Sequence, residues 1–432
     1  MNSVWQDKSQ IDKFTTLNGE VKTDVLVIGG GIAGVLTAYF LHQWGVPYFL
    51  VEKERICGKT TANTTAKITF QHSLVYHKLL KSMGEEKAKM YFAANKAAFD
   101  EYALLCKNID CDYEIKDNYV YSQCSRQKLE DEISAVSKIG YTAQLVEKLP
   151  LPVCTVGAVK FENQAQFNPL KFIAGISKGL NIYENTFVRE IEDNTAVTDK
   201  GKIRAKKIIV TTHFPFINKH GLYFLKLYQH RSYVIALENA ENVNGMYVDE
   251  SQKGMSFRNY ENLLLLGGGA HRTGKNGGCW EELRVFAKTN FPQAREKYHW
   301  ATQDCMSLDG VPYIGKYSKS TNNLYVAAGF NKWGMTSSMA AARILADLCT
   351  EGHNEYAEVF CPSRSILKPQ LFVNAFEATA NMLTFSKKRC PHLGCALKFN
   401  RAEKSWDCAC HGSRFDENGK VIDNPANGNL QK

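Results

Sequence analysis

Four side chains near the end of the chain have the types and spacing of a metal site. Cys390 and His392 form a C-x-H box, and Cys408 and His411 form a C-x-x-H box after 15 intervening residues. Thiolates bind ferric iron strongly, whereas neutral imidazoles add no negative charge and so raise the potential of an iron–sulfur cluster. The four residues therefore favour an iron–sulfur centre. A zinc site made from the same ligands is the alternative.

A glycine-rich turn near the start of the chain could hold phosphates. The stretch 25–52 reads as an apolar strand, a G-x-G-x-x-G turn with Gly29, Gly31 and Gly34, a helix, and a second strand that ends at Glu52. The first glycine makes the tight turn, the second lets the backbone approach a pyrophosphate, and the third lets the helix pack on the strand. Glu52 stands where an acidic residue binds a ribose hydroxyl. We predict a dinucleotide site, with a purely structural turn as the alternative.

A second glycine run does not repeat this pattern. Residues 267–274 read GGGAHRTG, with Arg272 in place of the third glycine and no amphipathic helix directly after it. We therefore predict a single dinucleotide site, without a separate nicotinamide dinucleotide site.

The elements that must position these groups follow from the apolar patterns. We expect strands at 206–212, 228–237, 263–266 and 324–329, and helices at 85–107, 126–138 and 336–349. The last helix has Thr336, Ser337 and Ser338 as possible N-caps. Its start would direct a positive dipole and free N–H groups toward a negatively charged ligand.

Composition limits the classes of function. The chain has 432 residues, 44% of them hydrophobic, and a net charge of +9 that is spread along the sequence. No apolar run is long enough for a membrane helix, and the polar first residues do not resemble a signal peptide. We expect a cytoplasmic protein without nucleic-acid or membrane partners, with an anionic substrate or acidic redox partner and possible homo-oligomers.

The tail resembles a Rieske [2Fe-2S] module. The matching residues are CPHLGC at 390–395 and CACHGSRF at 408–415. The resemblance implies that Cys390, His392, Cys408 and His411 are the cluster ligands and that Cys395 and Cys410 form a disulfide between the two loops. Ala409 departs from the usual proline. Because little sequence precedes the first box, residues 385–432 would be a truncated, all-β module after a linker at 353–384. So small a module would have to pack against the rest of the chain or against another subunit to be stable.

Most of the chain resembles the D-amino-acid oxidase and sarcosine oxidase family of FAD enzymes. The resemblance rests on IGGGIAG with Glu52, the strand that ends at Thr211 and Thr212, LDGVPYIG at 308–315 and LYVAAGFNKWGMTSSMAAA at 324–342. It implies an α/β fold in which a parallel FAD-binding sheet is interleaved with an antiparallel sheet of an α+β substrate part. It also implies hydride removal from a C–H bond next to nitrogen.

The resemblance also implies domain limits and FAD contacts. Residues 1–352 would form the oxidoreductase, with a nucleotide part at about 20–75, 150–215 and 300–350 and a substrate part at about 76–149 and 216–299. The expected FAD-binding residues are Gly29, Gly31, Gly34, Glu52, Lys53, Thr61, Thr65, Val188, Thr211, Gly310, Gly329, Trp333, Gly334, Met335 and Thr336.

Catalytic residues are less defined. Lys67 lies where related oxidases place a basic residue against a substrate carboxylate, and Lys332 and His271 are further candidates. Cys57 and His72 are near enough to consider for covalent flavin attachment, which stays open. The favoured function is oxidation of an amine or amino acid with single-electron transfer through the cluster to an external acceptor. The alternatives are electron entry through the cluster to reduce a substrate at the flavin, and a redox sensor without a small-molecule substrate.

Overall fold

The computed structural model describes residues 2–430 and contains two large sheets, one small sheet and the helices around them. The strands are β1 (Val21–Ile28), β2 (Tyr48–Val51), β3 (Lys67–Ile68), β4 (Glu114–Ser122), β5 (Gln144–Val146), β6 (Gly157–Gln166), β7 (Ile182–Tyr183), β8 (Val188–Glu192), β9 (Thr195–Thr198), β10 (Lys202–Val210), β11 (Leu227–Glu238), β12 (Met246–Asp249), β13 (Ser256–Tyr260), β14 (Leu263–Arg272), β15 (Arg295–Ser307), β16 (Tyr313–Lys316), β17 (Leu324–Ala328), β18 (Leu397–Asn400), β19 (Ser405–Cys408), β20 (Arg414–Phe415) and β21 (Val421–Asp423). The α-helices are α1 (Val4–Lys8), α2 (Ile32–Gln43), α3 (Val75–Met83), α4 (Glu85–Leu105), α5 (Arg126–Lys138), α6 (Pro169–Ile176), α7 (Tyr223–Lys226), α8 (Cys279–Asn290), α9 (Gly334–Thr350), α10 (Ala357–Phe360) and α11 (Pro369–Leu383). None of these helices is long and apolar enough to cross a bilayer.

The first sheet carries the glycine turn. Its order is β16-β17-β10-β1-β2-β7, with a hairpin of β8 and β9 beside β10. The pairs from β17 to β7 are parallel, and their apolar residues are buried on both faces, as a covered parallel sheet requires. The strand predicted at 206–212 lies between β1 and β17, so it brings Thr211 beside the turn.

Helix α9 packs against α2 at this sheet but begins earlier than the sequence indicates. It starts at Gly334 with Trp333 at the N-cap position, so the expectation that Thr336, Ser337 or Ser338 caps it is wrong. A capping side chain must accept from an N–H of the first turn. The Thr336 hydroxyl instead donates to the carbonyl of Thr69, 2.9 Å away, because this loop lies directly beside the helix.

The second sheet has nine strands, in the order β15-β11-β14-β13-β12-β4-β6-β3 with β5 beside β6. It is antiparallel as expected except for the parallel pair of β12 and β4. Because β6 and β15 belong to this sheet, residues 157–166 and 295–307 lie outside the first sheet. The chain therefore passes between the two sheets several times, and the interleaved α/β architecture expected from the sequence is confirmed.

The tail forms a third, small sheet of the antiparallel strands β18 to β21. Its buried core consists of Cys390, Cys395, Leu397, Cys408, Cys410, Phe415 and Ala426. Four of these seven residues are cysteines, so few apolar side chains hold the module together. Helix α11 precedes it, within the stretch predicted as a linker, and Ala378 of that helix packs on the same core.

Candidate active site and metal centre

A cavity of about 690 Å³ runs from the glycine turn to the second sheet. Twelve of the fifteen residues expected to contact FAD line it: Gly29, Gly31, Glu52, Lys53, Thr61, Thr65, Val188, Thr211, Gly310, Trp333, Gly334 and Met335. The other three, Gly34, Gly329 and Thr336, do not line it. On the far side the lining passes to side chains of the second sheet, including Tyr228, Tyr233 and Ser256.

The three glycines of the turn meet different surroundings. A Cβ on Gly29, whose φ is +107°, would lie 2.8 Å from the carbonyl oxygen of Thr211. A Cβ on Gly34 would lie 1.9 Å from the carbonyl oxygen of Gly29, so the third glycine allows α2 to pack on the turn. A Cβ on Gly31 would meet only the Thr61 hydroxyl, at 3.9 Å, and would otherwise enter the cavity. The second position is therefore the one left open for a pyrophosphate.

Glu52 is held at the end of β2 by backbone donors. Its carboxylate accepts from the N–H of Gly30 at 2.8 Å and from the N–H of Glu54 at 3.0 Å. Burial raises the pKa of Glu52, and these two bonds favour its charged form. The carboxylate is thus fixed beside the glycine turn, where it can accept a hydrogen bond from a ribose hydroxyl.

The start of α9 forms the opposite wall. Gly334 and Met335 line the cavity, so free N–H groups of the first helical turn face it. His72 stacks on Trp333 with ring centroids 5.3 Å apart, and its Nε2 lies 2.8 Å from the Thr336 hydroxyl. His72 also has its Nδ1 2.7 Å from the Tyr91 hydroxyl. Both ring nitrogens of His72 are therefore engaged by protein atoms.

Lys67 is a cation without a counter-ion at the cavity wall. Its Nζ donates to the Thr65 hydroxyl at 3.0 Å and forms no salt bridge within residues 2–430. Burial, followed by repulsion from Arg258, lowers the pKa of Lys67 to about 7. The fully buried Arg258 donates to the carbonyls of Thr65 and Ala66, each at 2.7 Å, and its Nη2 has no described partner. Lys67 thus lines the cavity with no described carboxylate paired to it, whereas Arg258 does not itself line the cavity.

The two other catalytic candidates occupy different places. Lys332 lines the cavity, and its backbone φ is +72°. Its Nζ donates to the carbonyl of Gln252 at 3.5 Å. His271 does not line the cavity. Its Nε2 lies 3.0 Å from the Tyr233 hydroxyl and its Nδ1 lies 2.9 Å from the carbonyl of Arg272, at the contact with the tail module. Its position favours a structural role, and its assignment to catalysis stays a prediction.

The four side chains of the tail form two close pairs, one of histidines and one of cysteines. The rings of His392 and His411 lie with centroids 4.9 Å apart, and the buried thiols of Cys390 and Cys408 are in hydrogen-bond contact. The Sγ atom of Cys408 also lies within 4.8 Å of two further sulfurs, those of Cys395 and Cys410. Those two are joined in a disulfide, as the family resemblance implies, and so are not available as ligands.

The donor atoms of this centre fit a cluster with two sulfur and two nitrogen ligands. The Nδ1 atoms of His392 and His411 are buried and have no described hydrogen-bond partner. Burial lowers the pKa of His392 to about 4 and that of His411 to about 3, so both imidazoles are neutral at pH 7 and offer a lone pair. Two orphaned nitrogens beside two buried thiols match the ligand set of a Rieske cluster.

The module packs on the body of its own chain through buried charges. Arg414 is the centre of this network and binds Asp407 at 3.0 Å, Glu403 at 2.9 Å and Asp423 at 3.1 Å. Glu403 also pairs with Arg231 of β11, so the network crosses from module to body. A buried ion network of this kind is costly to break, because each loss leaves an unpaired charge.

Two glutamines connect the cavity wall with the ligand loops. Gln303 lines the cavity and donates to the carbonyl of Gly412 at 2.8 Å and to Gln229 at 2.7 Å. Gln229 in turn donates to the carbonyl of the ligand His411 at 2.8 Å. Nearby, Asn424 donates to the carbonyl of Thr212, which follows Thr211, the residue beside the glycine turn. The cavity and the metal centre therefore share a wall.

Sequence reasoning missed the residues that join the two sites. Gln229, Gln303 and Glu403 belong to no motif, and their partners across the contact lie far away in the chain. The available signal was weak, because Gln229 and Gln303 are followed by other polar residues, and only the structure shows that both are buried and need partners. His213, which lines the cavity with an unpartnered Nε2, was also missed.

Comparisons with known proteins agree with both halves. The family model of FAD dependent oxidoreductases matches residues 24–348, and that of the Rieske [2Fe-2S] domain matches residues 364–432. The Bacillus subtilis (strain 168) protein YhfW, described as a Rieske 2Fe-2S iron-sulfur protein, is 33% identical over 98% of this chain and 96% of its own. Gamma-glutamylputrescine oxidoreductase of Escherichia coli (strain K12) is 24% identical over 78% of this chain and 85% of its own. The crystal structure of L-proline dehydrogenase from P. horikoshii superposes with a TM-score of 0.68 at 18% identity, over 81% of this chain and 98% of that one, and so shares the fold.

Proposed function

Because the chain belongs to the FAD-dependent oxidoreductase family and carries a Rieske [2Fe-2S] domain, we propose that it oxidises an amine or amino acid and sends the electrons singly to an external acceptor. When bound, FAD accepts a hydride from a C–H bond next to nitrogen, and the cluster carries one electron at a time. The name of the relative gamma-glutamylputrescine oxidoreductase supports a nitrogen-containing substrate.

The cavity supports a substrate with a carboxylate. Lys67 lines the cavity, the guanidinium of Arg258 is buried nearby, and no described acidic side chain forms a salt bridge with either. A substrate carboxylate that binds Lys67 would supply the missing counter-ion and restore the charged form of the amine. The binding energy of that pair would orient the rest of the substrate against the wall formed by Trp333 and Gly334.

The start of α9 supports the flavin end of the proposal. Its first turn presents backbone N–H groups and the positive end of the helix dipole to the cavity at Gly334 and Met335. Such donors stabilise negative charge that develops on a bound ring during the reaction. The stacked pair of His72 and Trp333 forms part of the same wall.

The observation that carries the proposal is the shared wall between cavity and metal centre. Gln303 contacts both, and Gln229 bonds to the backbone of the ligand His411. This hydrogen-bonded link from the cavity wall to the ligand loop supports electron transfer within one polypeptide. Rieske potentials of about −150 to +300 mV make electron transfer from most reduced flavins to the cluster favourable.

An anaerobic titration tests the proposal. The purified holoprotein is mixed with a panel of amines and amino acids while the flavin and cluster absorption bands are followed, and then with ferredoxin-type donors. We expect an amine or amino acid to reduce both chromophores. If only the protein donors reduce the cluster and the flavin, electron flow from substrate to cluster is rejected. If no amine or amino acid of the panel reduces the flavin, the proposed substrate class is rejected.

A further inference from the structure

Helix α11 presents its apolar side outward and its polar side inward. Phe372, Phe376 and Leu383, which recur at helical spacing, are 68%, 73% and 80% exposed, whereas Asn374 and Asn381 on the other side are buried. An ordinary surface helix shows the reverse pattern. We define the outward side chains, with the flanking ones, as the α11 face: Leu367, Phe372, Val373, Phe376, Met382, Leu383 and Phe385.

The inverted orientation is fixed by specific polar contacts. The Asn374 amide accepts from Arg272 at 3.0 Å, and Glu377 pairs with Lys275 at 2.7 Å. Asn381 accepts at its backbone carbonyl from the N–H of Ala396, at 3.0 Å, in the first ligand loop. The polar side of the helix is thus bonded to the body and to the cluster loop. A simple rotation that would bury the phenylalanines would break all three contacts.

The charges around the α11 face indicate what covers it. Residues 365–389 contain Lys368, Lys387, Lys388 and Arg389, and their only carboxylate is Glu377, which Lys275 neutralises. A second copy of this face would bring like charges together, which disfavours a two-fold dimer. Aromatic and aliphatic side chains beside lysines and an arginine are instead the pattern of a helix that lies in the interface of an anionic bilayer.

We propose that α11 is a membrane-surface anchor that inserts its apolar face between anionic lipids without spanning the bilayer. Phe385, 91% exposed, lies five residues before the ligand Cys390, so docking would bring the first ligand loop to the lipid surface. The inference goes beyond the proposed function and revises the sequence-based expectation that no membrane is involved.

Vesicle cosedimentation of the full-length holoprotein tests the anchor. We expect binding to phosphatidylglycerol-rich vesicles, weaker binding to pure phosphatidylcholine, and loss of binding at high salt. The combined variant Phe372→Ser, Phe376→Ser and Phe385→Ser should bind at least about tenfold more weakly. Flavin and cluster spectra show whether that variant is folded, and exposure of these three side chains predicts that it is.

A matched control separates the α11 face from general hydrophobicity. Leu104→Ser, Ile115→Ser and Val285→Ser remove apolar side chains that are 50% to 58% exposed elsewhere, and this combined variant should bind vesicles like the wild type. Lys368→Gln with Lys387→Gln should weaken binding to anionic vesicles selectively. The proposal is overturned if the wild type does not bind anionic vesicles, if both serine variants bind equally well, or if the α11 variant converts a dimer to a monomer without changing lipid binding.

Discussion

The dinucleotide turn and the metal centre are built on very different amounts of protein. The turn lies at the middle of an eight-stranded sheet, between two helices, where buried aliphatic residues hold every strand in place. The metal centre lies on four short strands whose buried core is mostly cysteine. We therefore expect the first site to depend mainly on the packing of its own sheet, whereas the second should need its cluster, its disulfide and the body beside it to keep its fold.

The largest expected effect is therefore at the tail. Cys408→Ser removes a thiolate ligand, and we expect complete loss of the cluster with the flavin retained. Iron content and the visible spectrum of the purified protein measure both, and hydrogen exchange should show that residues 390–423 lose protection. Cys124→Ser changes an exposed free thiol and should keep the cluster. Loss of flavin together with iron would show that the front half depends on the tail.

Glycine substitutions in the turn test the stability of the front half. In Gly34→Ala the new Cβ would lie 1.9 Å from the carbonyl of Gly29, and we expect a loss of about 3 kcal/mol in the free energy of unfolding. In Gly31→Ala the Cβ would enter open space. That variant should unfold like the wild type when FAD is removed but bind FAD much more weakly. Denaturant unfolding of the apoproteins and FAD titration distinguish the two, and equal stabilities would contradict the geometry.

Arg231→Met tests the contact between the halves. The substitution leaves Glu403 with Arg414 as its remaining cationic partner. We expect the free energy of docking of the module on the body to become less favourable by about 3 kcal/mol. The measurable result is faster loss of iron to a chelator, with unchanged FAD affinity. Arg231→Lys keeps the charge but not the paired geometry. Its rate of iron loss should therefore lie between those of the wild type and Arg231→Met. An unchanged rate in Arg231→Met would show that the ion network does not hold the module.

The smallest expected effect concerns substrate binding by Lys67. Its pKa of about 7 means that the free amine is charged below that pH and neutral above it. If the ammonium binds a substrate carboxylate, kcat/KM should fall about tenfold per pH unit above 7. Lys67→Met should have a low kcat/KM at every pH, without the fall above pH 7. A substrate amine without a carboxylate serves as the control, and the same fall with that amine would contradict the assignment.

The sequence predicted both sites because each depends on short spacings. The glycine turn is set by backbone requirements within a few residues, and the ligand boxes by the reach of two loops. Contacts between distant residues could not be predicted in this way. Gln229 with His411, and Arg231 with Glu403, meet only because β11 passes under the module. The early start of α9 was missed for a similar reason, since Thr336 bonds to a loop far away in the chain.

The order in which the two centres are reduced decides whether electrons flow from the flavin to the cluster. The oxidised holoprotein is mixed anaerobically with a reducing amine or amino acid in a stopped-flow instrument, and the flavin and cluster bands are recorded separately. We expect the flavin band to bleach first and the cluster band to follow within the same protein molecule, at a rate independent of protein concentration. Cluster reduction before flavin reduction, or a cluster that stays oxidised while the flavin is fully reduced, would contradict it.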